Sequence, residues 1–310
     1  MDWTTDLKNA IGYMEENLLA DIGVQEVADA VHISPFYFHR GFKIVTGYSV
    51  SEYLRNRRLY LAGLDVLKKN QQETENQYTC AEAGNEKIID LAHKYGYNTP
   101  ESFTRAFIRF HGLSPLQLRK HPHQIRVFLP LHVEIIVKGG RQMEFTIEKK
   151  DAMRMIGFKK TISHETSYQD IPAFWNWFCQ KYCGDAACEP GEEKIRQTIA
   201  ECMVGEFGVC MEEETNTESF CYYIAGSYQG NEVPEGMTVF EIPAGEWAEF
   251  KCTGSIPDAL QTVNTRIFNE WLPGNREYEI AFHASIEWYS KGDTRSDRYE
   301  SGIWIPVKRL

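Results

Sequence analysis

Two arginines, Arg40 and Arg105, stand at equivalent places of a motif that the chain carries twice. The pattern [Ser/Thr]-Pro-x-x-Phe-x-Arg-x-Phe-x-x-x-x-Gly runs from Ser34 through Phe38, Arg40 and Phe42 to Gly47, and returns from Thr99 through Phe103, Arg105 and Phe107 to Gly112. A hydroxyl residue before a proline marks a helix start, and glycine suits the helix end. Spacing of four places Phe38 with Phe42, and Phe103 with Phe107, on one face, which leaves each arginine on another. Both guanidinium groups are expected to be held outward. Two short amphipathic helices, each presenting one arginine, suggest a protein that touches a single partner twice.

The segments ahead of each copy supply what must position these helices. Val24-Gln25-Glu26-Val27-Ala28 leads through Val31-His32-Ile33 to Ser34, and Ile88-Ile89-Asp90-Leu91-Ala92 leads through Tyr95-Gly96-Tyr97 to Thr99. A short helix with a small alanine, a turn, then a capped helix is the helix-turn-helix pattern. The competing reading, two helical hairpins that only pack together, does not explain why the arginine is duplicated along with the phenylalanines.

Residues 3–120 resemble the DNA-binding domain of the AraC/XylS family of transcription regulators. The resemblance rests on the doubled motif, on Tyr53-Leu54-x-x-x-Arg58-Leu59-x-x-Ala62 as the helix joining two helix-turn-helix units, and on Gly112-x-Ser114-Pro115-x-x-x-Arg119 as the terminal signature. It implies two recognition helices in successive major-groove segments of promoter DNA, roughly 34 Å apart. Carried over by motif position, the base-edge candidates are Phe36, His39 and Arg40 in the first helix and Glu101, Thr104 and Arg105 in the second. Arginine can fork onto guanine, glutamate can accept from cytosine N4, and phenylalanine can meet a thymine methyl. Lys43, Arg109 and Arg57 are read as phosphate contacts. One departure is the polar run from Lys68 to Asn85, where the family has only a few residues. It is expected to be a surface loop or a frayed helix extension, with the insertion proper at about 70–86.

Residues 1–127 carry 15 Lys/Arg against 15 Asp/Glu, and residues 128–310 carry 18 against 29, which is the whole net charge of −11. A neutral DNA-binding part must therefore rely on local placement of Arg40, Lys43, Arg55, Arg57, Arg58, Arg105 and Arg109, and its affinity is expected to be modest and salt-dependent. No run of about 18 apolar residues exists, the start is acidic rather than signal-like, and the expected location is the cytoplasm with no membrane partner. The cysteines form no Cys-x-x-Cys pair and are expected to be reduced thiols. Cys179 and Cys183, at helical spacing with Cys188 nearby, are the nearest approach to a redox or metal cluster, but no fourth ligand stands at a sensible distance. No metal and no cofactor are expected.

Residues 121–142 read as a linker. His121-Pro122-His123 breaks the preceding helix, and Leu129, Leu131, Val133, Ile135 and Val137 alternate like a strand. From Met143 a second repeat emerges, with the order strand–strand–helix–strand–strand occurring twice over 143–310. The first unit is expected as strands at 144–149 and 153–162, a helix at 168–182, and strands at 198–211 and 219–228. The second is expected as strands at 238–242 and 246–253, a helix at 256–272, and strands at 278–289 and 300–307. Two such units pair into one antiparallel sheet with helices on a single face, an α+β domain following an all-α one. The groove between the halves suits a small ligand.

This half is similar to the gyrase-inhibitor-like effector-binding domain. The segments concerned are Ile171-Pro172-Ala173-Phe174-Trp175, Val239–Gly245, Asn264-x-x-Ile267-Phe268-x-x-Trp271-Leu272-Pro273, Ile286-Glu287-x-Tyr289 and Ile303–Val307. The resemblance implies a glutamate at the pocket floor, matched here by Glu287, which shares a strand face with Tyr289, Ser285 and His283. Trp175, Trp271 and Trp304 are the candidate aromatic walls. A carboxylate among such rings can hold a cation, each ring adding roughly 0.5–2 kcal/mol.

The expected function is that of a cytosolic one-component regulator, not an enzyme. A small cationic or aromatic effector in the C-terminal domain would alter how the N-terminal domain binds promoter DNA or recruits RNA polymerase. Two alternatives accompany it. The C-terminal domain could hydrolyse a small electrophile with Glu287 as base and Tyr289 as acid, or Cys179 and Cys183 could form a thiol switch.

Overall fold

The computed structural model describes residues 3–75, 88–133, 143–184, 191–213, 216–230 and 232–310. Its helices begin with α1 (Trp3–Glu16), α2 (Val24–Ala30), α3 (Pro35–Thr46), α4 (Val50–Glu75), α5 (Ile88–Lys94), α6 (Pro100–His111) and α7 (Pro115–Lys120). Both motif helices form as their residues dictate. Ser34 accepts a hydrogen bond from the Tyr37 N–H and Thr99 from the Ser102 N–H, with Pro35 and Pro100 at the first helical position. Gly47 and Gly112 close the two helices in the left-handed conformation, at φ 80° and 79°.

The described residues fall into two compact units. One comprises the described residues within 1–6, 33–47 and 135–310, and the other those within 7–32 and 48–134. The boundary expected near residue 120 is thus interrupted, because α3 clusters with the C-terminal sheet.

In the second unit Phe103 and Phe107 of α6 pack with Leu59, Ala62 and Val66 of α4, with Leu91 and Ala92 of α5, and with Leu118 of α7. Ala92 lets α5 and α6 approach, and the turn between them is closed by the Tyr97 N–H donating to the Ala92 carbonyl at 2.8 Å. Two arginines expected at phosphates are structural instead. Arg57, only 5% exposed, forks onto Glu15 with both bonds at 2.7 Å and donates to the Phe128 carbonyl. Arg58 donates to the Leu18 and Ala20 carbonyls at 2.6 and 2.8 Å. Long guanidinium side chains reaching back across the bundle thus tie the turn after α1 to α4 through its carbonyls. The polar run after Leu67 continues α4 as helix to Glu75 rather than opening into a loop, and the remainder of the 70–86 insertion lies outside the described residues. The described part of the alternating segment, 129–133, forms no strand; just before it Ile125 and Phe128 pack on the helical core, while Val127 and Leu129 stay exposed. Ile135 and Val137 lie outside the described residues.

In the first unit the chain continues through β1 (Thr146–Lys150), β2 (Met153–Ser163), α8 (Ser167–Tyr182), α9 (Glu193–Cys202), β3 (Phe207–Glu213), β4 (Asn216–Ser227), β5 (Thr238–Ile242), β6 (Gly245–Thr253), α10 (Asp258–Arg266), β7 (Tyr278–Ile280), β8 (Ala284–Tyr289) and β9 (Glu300–Arg309). These strands form one antiparallel sheet in the order β1-β6-β9-β8-β3-β4-β2-β5, with β7 paired to β9. The expected repeat is visible in that order. Each half contributes three adjacent strands, the halves meet at β3–β8, and β1 and β5 each cross to the other half. The sequence expectation missed α9, because Thr198–Cys202 was assigned to a strand, and it ran β7 and β8 together. α10 passes into a π-helical turn at Ile267–Trp271.

The bidentate Arg57–Glu15 pair carries one prediction. Arg57→Ala leaves the half-buried Glu15 carboxylate without its cation and the Phe128 carbonyl without its donor, so it should lower stability by about 2 kcal/mol in urea denaturation followed by circular dichroism.

Candidate effector cavity and base-reading helices

Strand alternation decides which side chains can meet. On the inner face of the sheet, Glu287 lies opposite Gly208, and Cys210 is paired with Ser285 on one side and Tyr222 on the other. The Glu287 Oε2 accepts hydrogen bonds from the hydroxyls of Tyr222 and Tyr289, both at 2.9 Å. The Trp175 indole N–H of α8 donates in turn to the Tyr222 oxygen at 2.8 Å. This cluster needs a glycine at 208: a Cβ there would sit 2.2 Å from the Tyr222 hydroxyl and 3.1 Å from the carboxylate. Burial, and then the charge of Glu287, holds both tyrosine hydroxyls well above their ordinary pKa. They are fixed as donors to the carboxylate.

A cavity of about 730 Å³ opens over this cluster, walled by α8, α10 and α3. Of the residues singled out in the sequence for ligand binding, Trp175, Glu287 and Tyr289 line it. Trp271 and Trp304 do not. Trp271 packs edge-on against Phe145 and Phe250. Trp304 pairs with Ile286 and so points to the opposite face of the sheet, where Lys150 lies over its ring and Phe207 packs beside it. Sequence reading missed Tyr222, which lies on the same sheet face as Glu287, whereas Ser285 stands on that face as its strand position implies.

The larger surprise is α3. Its residues expected at base edges face the cavity. The Arg40 guanidinium donates to the Ser285 hydroxyl at 2.9 Å and stands 4.0 Å from the Glu287 Oε1. Phe36 packs edge-on against Phe220 with ring centres 5.5 Å apart, and its N–H donates to Glu212 at 3.2 Å. The His39 ring lies 4.7 Å from that of His164, and Lys43 donates to the Glu165 carbonyl at 3.1 Å. The expectation that Arg40 projects outward is therefore corrected. Its neighbours are aromatic, and they bury that face of the helix against a protein surface. The second motif helix differs: Glu101, Arg105 and Arg109 of α6 are exposed and Thr104 is half-buried.

Cys179 and Cys183 carry free, exposed thiols at the cavity rim. Partial desolvation at the rim and the neighbouring Cys179 raise Cys183 to about 11, which keeps it protonated and a weak nucleophile at neutral pH. Cys188 lies outside the described residues, and among those described no group of three or more His, Cys, Asp or Glu side chains could hold a metal. No helix among them is long and apolar enough to cross a membrane.

A family model described as an integron-associated effector binding protein matches residues 146–307, more than half of the chain, and a helix-turn-helix domain model matches residues 27–121. The TetD protein of transposon Tn10 from Escherichia coli is 28% identical over 118 residues, 38% of this chain and 75% of that one. The multiple antibiotic resistance protein MarA of Salmonella typhimurium is 25% identical over 128 residues, 41% of this chain and 89% of that one. The solved structure of SAV2435 bound to tetraphenylphosphonium is 21% identical and aligns with a TM-score of 0.43, over 54% of this chain and 94% of that one.

The paired imidazoles give a pH prediction. Burial above all, with lesser repulsion from His164 and Lys43, lowers His39 to about 3. Burial lowers His164 to about 4, Glu212 opposing and Arg40 assisting. Both are neutral while α3 is packed. The packing is thus fully favoured above the ordinary histidine range, near about 6.5. It weakens as pH falls below that range, because a separated helix takes up protons that the packed one refuses. Histidine ring NMR should show two imidazoles still neutral at pH 5; titration of both near pH 6.5 would contradict the packing.

Proposed function

The chain belongs to the integron-associated effector binding protein family and carries an AraC-type helix-turn-helix domain ahead of it, and from this we propose that it is a one-component transcription regulator controlled by a cationic effector. The observation that carries the effector class is the Glu287 carboxylate. It sits in an aromatic cavity with one oxygen engaged by two tyrosine hydroxyls, and the other faces the chain's own guanidinium. A carboxylate desolvated among rings attracts a cation with an apolar periphery: the charge meets the carboxylate, and the rings of Trp175 and Tyr289 contribute dispersion and cation–π attraction.

DNA contact is assigned to the two motif helices. Glu101, Thr104 and Arg105 of α6 are the base-edge residues, with Arg109 at a phosphate, and exposure of Glu101, Arg105 and Arg109 supports this reading. Phe36, His39 and Arg40 of α3, with Lys43, take the corresponding roles once that helix leaves the cavity. From the promoter the regulator would act on RNA polymerase. Hydrolysis by Glu287 and Tyr289 is the competing use of the cavity, and it is separated by mass: prolonged incubation with a bound effector should return it unchanged.

Two measurements check the proposal. Tetraphenylphosphonium, a cation sheathed in phenyl rings, should bind the chain in a calorimetric titration, and Glu287→Gln should weaken it at least about ten-fold. Equal binding by both would discard the carboxylate as the recognition group. Arg105→Ala should cost about 1–3 kcal/mol against duplexes that the wild-type chain selects from a random pool, and should relax one base preference.

A further inference from the structure

We infer that α3 and the effector compete for one carboxylate, so that a bound cation evicts the first recognition helix from the cavity and thereby raises DNA affinity. This rests on the reading of Glu287 as the cation site. The chain's own Arg40 holds the ligand's place: one guanidinium nitrogen donates to Ser285 and another stands beside Glu287. Around it the helix is seated by main-chain and side-chain bonds alike, the Tyr37 hydroxyl donating to the Ala284 carbonyl at 2.5 Å and the Phe36 N–H to Glu212 at 3.2 Å.

The two motif copies differ where this seating would require it. Aligned by motif, α3 has Phe36, Tyr37 and His39 where α6 has Glu101, Ser102 and Thr104. DNA-reading surfaces are polar and basic, and α6 fits that description. The α3 face is aromatic and suits a protein cavity. Gly41 adds an independent sign, since α6 has Ala106 in its place. A Cβ at position 41 would come within 2.6 Å of the Trp3 ring and 2.8 Å of Phe268, so only glycine lets α3 lie flush against these rings. The copy that docks has the glycine and the other copy has not.

The direction of control follows from charge and occupancy. A second cation cannot share the space beside Arg40 without strong repulsion in a poorly solvated cavity. A DNA groove cannot receive the α3 face while that face is buried. Effector and DNA therefore both favour the released helix, and two ligands that favour one state strengthen each other's binding by the same factor.

Hydrogen exchange of the full chain, read by mass spectrometry on peptides covering α3 and α6, tests this without any ligand. Arg40→Ala and Glu287→Gln should each speed exchange in α3 by about five-fold or more and leave α6 unchanged, and the double variant should add little to either. Unchanged α3 exchange in both single variants would overturn the proposal. Glu287→Gln should also bind the pool-selected duplex more tightly than wild type, and equal or weaker binding would overturn the coupling. Saturating tetraphenylphosphonium should speed α3 exchange in the wild-type chain; slower exchange would mean that the cation seals the helix in place, the opposite sign. If tetraphenylphosphonium fails to bind while the variants still release α3, the cation reading fails and the docking stands.

Discussion

One carboxylate sets the terms for the rest of this molecule. Glu287 lies on an inner sheet face where bulk water cannot fully solvate it, so its charge must be met by whatever the surrounding chain offers. Tyr222 and Tyr289 supply two hydroxyl donors to one oxygen, and Trp175 orients Tyr222 from α8. Gly208 keeps the opposite strand clear of the cluster. What the sheet does not supply is a positive charge, and Arg40 approaches from α3 to within 4.0 Å. Because that distance is at the outer edge of an ion pair, the bond is of a kind that another cation can replace.

The repeated helices show how duplication can separate tasks. Both keep the hydroxyl cap, the proline, the inward phenylalanines and the closing glycine, which are the parts that make a short helix stable and let it pack. They diverge on the face left over. α6 retains polar and basic groups there and exposes most of them, whereas α3 carries aromatic rings that are buried against Phe220 and His164. The same residues thus serve two surfaces in turn, a protein cavity and, in the proposed released state, a DNA groove.

Local signals in the sequence suffice for the capped motif helices and for the order of the strand repeat, since caps, periodicity and strand alternation act within a few residues, whereas Glu287 stands out only through the resemblance to the effector-binding domain. They failed where the deciding contact is distant. Arg57 and Arg58 read as phosphate contacts because nothing nearby in sequence reveals Glu15 or the Leu18 carbonyl. Trp304 looked like a pocket wall by residue type, although its register opposite Ile286 assigns it to the other face. Arg40 is expected outside because the i, i+4 phenylalanines leave it on another helix face, as they leave Arg105; the divergence between Phe36 and Glu101, and between Gly41 and Ala106, is the available clue.

The most direct test of the account is a calorimetric titration of tetraphenylphosphonium into the full chain, performed with and without a saturating duplex selected from a random pool. Competition between the effector and α3 predicts tighter cation binding in the presence of DNA, by the factor with which the cation tightens DNA binding. Weaker or equal cation affinity in the DNA complex would contradict it.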